Sequence, residues 1–189
     1  VGSEMCIRDR AWNTGERPVL LKGTPFKSVN QYYNKQIAKR RSICERMNGR
    51  HSSKRIARLT VKRNRKVEDY LHKASRKVID LCAGQDVSVL VIGKNKGWKQ
   101  EANLGRKLNQ SFVQLPFARF IQMLQYKAES IGMKVVLTEE SYTSGTSFLD
   151  DEAPVKACYD KSRRVHRGLF LANDGQRINA DVNGCLLYT

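Results

Sequence analysis

The side chains best suited to chemistry are carboxylates set at the ends of apolar runs. Glu139 and Glu140 follow the apolar stretch of residues 133–138, and Asp181 follows Ile178-Asn179-Ala180, where a short strand meets a helix. Strand ends fix side chains in place, so acids there can converge on a divalent cation, a hard ion that takes carboxylate oxygens. Successive strand residues point to opposite faces, so only one of Glu139 and Glu140 can join such a site. Each of these acids also suits an exposed strand end. Other catalytic types are thinly represented. No Ser/His/Asp order stands out, His51, His72 and His166 lie in basic surroundings, and no glycine-rich phosphate loop precedes a helix.

The elements that must position these acids follow from hydrophobic periodicity. Residues 87–92 form a β-branched and leucine run ended by Gly93, which reads as a buried strand. A loop containing Asn95-Lys96-Gly97-Trp98-Lys99 follows. Pro116 then opens a helix with Phe117, Phe120, Ile121, Leu124, Gln125 and Ala128 at helical spacing, Gly132 stops it, and residues 133–138 make a second buried strand. Strand, helix, strand is a β-α-β crossover, so the fold class is α/β, a sheet with helices packed on it. A hairpin is expected around Asn173-Asp174-Gly175, between residues 169–171 and 176–178. Asp150, Asp151 and Glu152 read as solvated loop acids.

The first half of the chain differs in kind. Of 189 residues, 35 are Lys or Arg and 18 Asp or Glu, a net charge of +17. Residues 22–77 hold 18 of the bases against Glu45, Glu68 and Asp69, a local +15, so the rest of the chain carries only +2. Concentrated positive charge with few acids to pair it is the footprint of a polyanion partner. The segment is patterned as a long helical hairpin over residues 28–83. Ser28 and Gln31 suggest a capping box, and Val29, Tyr32, Tyr33, Ile37, Cys44 and Met47 form the first apolar stripe. Asn48-Gly49 ends that helix, and a second stripe runs from Ile56 to Cys82, closed by Gly84. Lys39, Arg40 and Arg41 on the first helix, with Lys54, Arg55, Arg58, Lys62, Arg65 and Lys66 on the second, fall largely on the remaining face and are the candidate nucleic-acid contacts. Tyr32 and Tyr33 can stack on bases, although aromatic residues on an apolar stripe are most simply core.

Composition excludes several classes. No apolar run approaches the roughly 20 residues of a membrane span. Cys6, Cys44, Cys82, Cys158 and Cys185 are odd in number, widely spaced and without a C-x-x-C, which argues against a disulfide scaffold and fits a reducing cytosol.

Several short motifs, in order, resemble the TnpB/OrfB proteins of bacterial insertion sequences, whose C-terminal domain is a RuvC-like nuclease of the RNase H fold. They are Tyr32-Tyr33-Asn34-Lys35-Gln36, the run from Gly93 to Gln100, Gln114-Leu115-Pro116-Phe117, the run from Thr138 to Ser144, and Asn179-Ala180-Asp181-Val182-Asn183-Gly184. The likeness covers residues 16–184. It implies an RNase H-like (RuvC) partial domain carrying the basic hairpin as an insertion. The implied activity is RNA-guided cleavage of DNA, as in the related type V CRISPR effectors, with guide RNA and DNA as partners and two Mg2+ ions as cofactor. The implied setting is the prokaryotic cytoplasm, in association with the nucleoid.

The same resemblance carries Asp181 to the family's third carboxylate. The second is a Glu at the end of the strand matching residues 87–92, where this chain has Gly93; Glu140, or alternatively Glu139, is expected to replace it. The first, an Asp in an Asp-Leu-Gly setting, has no counterpart, because the acids before Pro18 are only Glu4, Asp9 and Glu16. Residues 1–9 and 185–189 resemble translated adaptor sequence, so 1–15 and 185–189 are expected to be a non-native leader and tail. Between them, 16–184 is expected to be a nuclease fragment with its hairpin at 28–83 and its α/β part at 84–184. Such a fragment should bind nucleic acid without cutting it. Many relatives carry a four-cysteine zinc ribbon after the Tyr-Thr-Ser segment; here Ser147 and Asp150 stand at the first pair and only Cys158 follows, so no zinc is expected. Two other readings stay open: a nuclease-dead nucleic-acid-binding regulator, and a coiled-coil interaction module whose charge only provides solubility.

Overall fold

A computed structural model describes residues 2–5, 9–13, 19–94, 116–166 and 168–187. Three strands, β1 (Gly2–Met5), β2 (Asp9–Asn13) and β3 (Val19–Lys22), pair antiparallel in the order β1-β2-β3. Sequence patterning gives no sign of β1 and β2, which are short, polar and without a run of β-branched residues. Strand formation in such segments is decided by the neighbour they pair with rather than by propensity.

The basic segment is the expected hairpin with a different start. α1 (Thr24–Asn48) begins at Gly23, with Pro25 presetting the first turn. Ser28 is inside the helix, its hydroxyl donating to the Thr24 carbonyl at 3.1 Å, so the capping box is not formed there. Gly49, left-handed at φ 63°, closes α1 by donating its N–H to the Glu45 carbonyl. α2 (Lys54–Ala83) is capped by Ser53, whose hydroxyl accepts the Ile56 N–H at 3.3 Å. Two polar ties join the helices. Arg63 Nε donates to Oδ1 of buried Asn30 at 2.8 Å, and the Tyr33 and Thr60 hydroxyls bond at 3.0 Å.

The crossover is present as read. β4 (Val89–Gly93) and β5 (Lys134–Thr138) run parallel with Gly93 opposite Thr138, and α3 (Phe117–Glu129) lies between them in sequence. The loop motif that begins at Asn95 falls outside the described residues. β4 is buried through Leu90 and Ile92, but β5 is not the buried strand expected: Val136 and Leu137 are exposed, and among the described residues it pairs only with β4. β6 (Leu169–Leu171) and β7 (Arg177–Asn179) form the expected antiparallel hairpin, with Gly175 at φ 84° in the turn. α4 (Ala180–Leu186) follows directly. β1 runs beside β4, and α4 lies against β1 and β2.

One core joins the layers. Leu71, Val78, Ile79 and Cys82 of α2 meet Leu90 and Ile92 of β4 and Phe117, Phe120, Met123 and Leu124 of α3. Polar contacts fix the same packing, with Arg119 on Glu68 at 2.9 Å and Lys127 donating to the Ser75 hydroxyl at 2.7 Å. The second half of α2 is thus a core element, while its first half carries the basic face outward together with α1.

Candidate functional site

Glu140 lies across the end of β4. A Cβ built on Gly93 would overlap Oε1, Cγ and Cδ of Glu140, so the space a side chain at position 93 would enter already holds the Glu140 carboxylate. Glu139 is exposed and accepts a hydrogen bond from the Ser141 hydroxyl at 2.9 Å. The geometry therefore separates the two adjacent acids, with the expected Glu140 at the end of β4 and its alternative Glu139 beside Ser141.

Asp181 sits in the first turn of α4. Asn179 caps that helix, its side-chain oxygen accepting the N–H groups of Asp181 and Val182 at 2.9 and 3.2 Å. Asp181 is 4% exposed, and such burial of a carboxylate requires partners. Arg164 supplies one, with Nη2 3.2 Å from Oδ1. Two residues on, the fully buried Asn183 accepts the Phe148 N–H at 2.9 Å and donates to the Thr146 carbonyl at 2.7 Å. This clamp ties α4 to the loop that follows Glu140, through the turn Thr143–Gly145, where the Thr143 hydroxyl donates to the Glu140 carbonyl at 3.2 Å. Sequence reading passed over Asn183, although two Asn residues flanking Asp181 are a usable signal that the helix start is built from side-chain hydrogen bonds.

Carboxylate oxygens are the donors that Mg2+ takes. Glu140 and Asp181 fit that ion in kind, but among the described residues no three His, Cys, Asp or Glu side chains gather as a metal site. The described donor set therefore falls short of a complete two-metal centre.

Around Ser147 and Asp150 the chain holds an ion-pair network. Arg163 Nη1 lies 2.9 and 2.8 Å from the two Glu152 carboxylate oxygens and 3.8 Å from Asp150, and its Nη2 donates to Asn173 at 2.6 Å. Asp150 in turn accepts the Asn173 N–H at 3.0 Å, and Glu152 accepts the Ser147 N–H at 3.0 Å. Asp150 and Glu152 are therefore partly buried members of a cross-link, not the solvated loop acids expected. Hydrogen bonds from the Ser147 hydroxyl and the Asn173 N–H hold the Asp150 carboxyl below its ordinary range.

On the hairpin, Lys39, Arg41, Lys54, Arg55, Arg58, Lys62, Arg65 and Lys66 are all exposed. Arg40 differs, being half-buried with an Nε that has no partner among the described residues. Tyr32 leaves the core reading altogether at 64% exposed, as does Met47. Burial pushes the Arg63 guanidinium below its ordinary value.

Two family models match in chain order: OrfB_IS605, described as "Probable transposase", over residues 11–99, and the Cas12f1-like TNB domain over residues 117–187. A curated relative, the CRISPR-associated endodeoxyribonuclease Cas12f2 of a Micrarchaeota archaeon, is 23% identical over 180 residues, 90% of this chain and 31% of its own length. Cryo-EM structures of a Cas12f1–sgRNA–target DNA complex and of a CRISPR-Cas12f ternary complex each superpose with a TM-score of 0.68 at 16% identity, over 98% of this chain and 48% and 37% of theirs. The chain thus spans about a third of the curated relative and under half of each solved chain. At this identity the solved structures establish a shared fold, while the family models carry the kinship. This chain is a protein related to the TnpB/OrfB transposases and the type V CRISPR effectors.

Proposed function

We propose that the chain is part of an RNA-guided DNA endonuclease that grips RNA and DNA backbones on the outer face of α1 and α2. In this reading it contributes Glu140 and Asp181 to an RNase H-like, magnesium-dependent site for phosphodiester hydrolysis. The observation that carries it is Glu140 lying on Gly93: a carboxylate arriving from β5 fills the place at the end of β4 where the resemblance implies a Glu. The strand arrangement within the α/β part is compatible with the same reading, with β4 parallel to β5 across the α3 crossover. Bound magnesium would supply an activated water and charge stabilisation at the leaving oxygen. The chain's own residues would position it: Asn179 fixes the backbone at Asp181, and Arg164 holds its carboxylate in one orientation.

The test uses the protein with its complete upstream gene sequence. Asp181→Ala should remove magnesium-dependent cleavage, by about 100-fold or more, while nucleic-acid affinity stays within a few-fold. Undiminished cutting would sink the assignment. The Arg164–Asp181 pair also favours a second reading, a nuclease-silent binder in which a cation already satisfies the carboxylate. A native Asp in an Asp-Leu-Gly setting upstream selects the enzyme, and its absence selects the binder.

A further inference from the structure

We infer that the cleft between α1 and α2 holds one unpaired nucleotide, its base on Tyr32 and its phosphate at Lys62 and Lys66. This rests on the nucleic-acid reading above and narrows it to a site. Ser28, Val29, Tyr32, Leu59, Lys62 and Lys66 line a cavity of about 370 Å³, a size suited to a small planar ligand. Tyr32 lines this cavity while 64% exposed, so its ring is open to a ligand. The cleft wall behind it is already set. Tyr33 is held through Thr60 at 3.0 Å, and Arg63 stands 5.7 Å over the Tyr33 ring while bonded to buried Asn30.

Ring, apolar side chains and paired ammonium groups together select the ligand. Lys62 and Lys66 are one helical turn apart on α2, so both reach one side of the cleft. An apolar ligand would bring nothing for these two charges. A nucleotide brings an aromatic face for Tyr32 and a phosphate for the lysines, with little demand on base identity. Bases inside a duplex are covered on both faces by their neighbours, so the ligand is unpaired.

The experiment uses the full chain with ribo- and deoxyribo-oligonucleotides carrying one 2-aminopurine, and a duplex of the same sequence. Binding should quench the 2-aminopurine fluorescence of the single strands. Tyr32→Leu should weaken single-strand binding about ten-fold and remove the quench, with duplex affinity unchanged, while Tyr32→Phe behaves as wild type. The sugar giving the tighter complex identifies the source of the nucleotide. If the wild type binds but Tyr32→Leu leaves affinity and quench intact, the pocket is overturned and the broader interface stands. If the wild type binds neither single strand nor duplex, the interface reading fails and this inference falls with it.

Discussion

Gly93 has no side chain, and Glu140 occupies the room this leaves. If the two positions exchange one carboxylate, function should follow the group rather than its place in the sequence. In the longer protein on which the proposed function is tested, Glu140→Ala should lower magnesium-dependent cleavage by about 100-fold or more, and Gly93→Ala should do likewise by displacing Glu140. The double change Gly93→Glu with Glu140→Ala should recover much of the rate. A double variant as inactive as the Glu140→Ala single would remove Glu140 from the site. Asp150 gives a second prediction at this scale. Its folded carboxyl lies below the ordinary Asp range, so the stability it contributes is present above about pH 4 and is lost as pH falls below that. Asp150→Asn should melt at lower temperature than wild type at pH 7, and the gap should narrow at pH 3. An unchanged gap across that range would place Asp150 outside the network. Sequence offered Asp181 and, on the family resemblance, Glu140 before Glu139; the acids by themselves gave no choice, because that requires knowing which one crosses to a neighbouring strand. It also took Asp150 and Glu152 for solvated acids, since their partner Arg163 is brought to them only by the fold.

At the scale of elements, α2 is the beam on which the molecule is built: its first half lies against α1 and its second against β4 and α3. Its N-terminus depends on Ser53, in extended conformation and accepting the Ile56 N–H. Ser53→Ala should cost about 1 kcal/mol in chemical denaturation, whereas Ser28→Ala, inside α1, should change stability by only a few tenths. Equal losses would mean that the cap is not where α2 begins. The elements most legible in sequence were those whose own residues decide them: the two long helices, the crossover and the Asn173-Asp174-Gly175 turn. β1 and β2 were illegible because polar segments of four and five residues become strands only through pairing. The burial of β5 was misjudged for a related reason. An apolar run looks the same at the centre of a sheet and at its edge.

For the whole molecule, the governing quantity is where the charge of +17 resides. The core half of α2 is anchored, so the basic half is presented as a fixed surface rather than a loose tail, with Lys54, Arg58 and Arg65 along one stripe of the helix. Fixed cations on a rigid support displace condensed counterions from a polyanion together, and the signature is a linear fall of log affinity with log salt. Changing Lys54, Arg58 and Arg65 together to Gln should flatten that slope by about two to three units on duplex DNA and weaken binding evenly across sequences. All three are exposed, so the fold and its melting temperature should be little altered. A slope near zero in the wild type, or one unmoved by the triple change, would make the charge a means of solubility and the hairpin an arm for a protein partner. A steep slope lost with the triple variant would instead assign phosphate contact to this stripe.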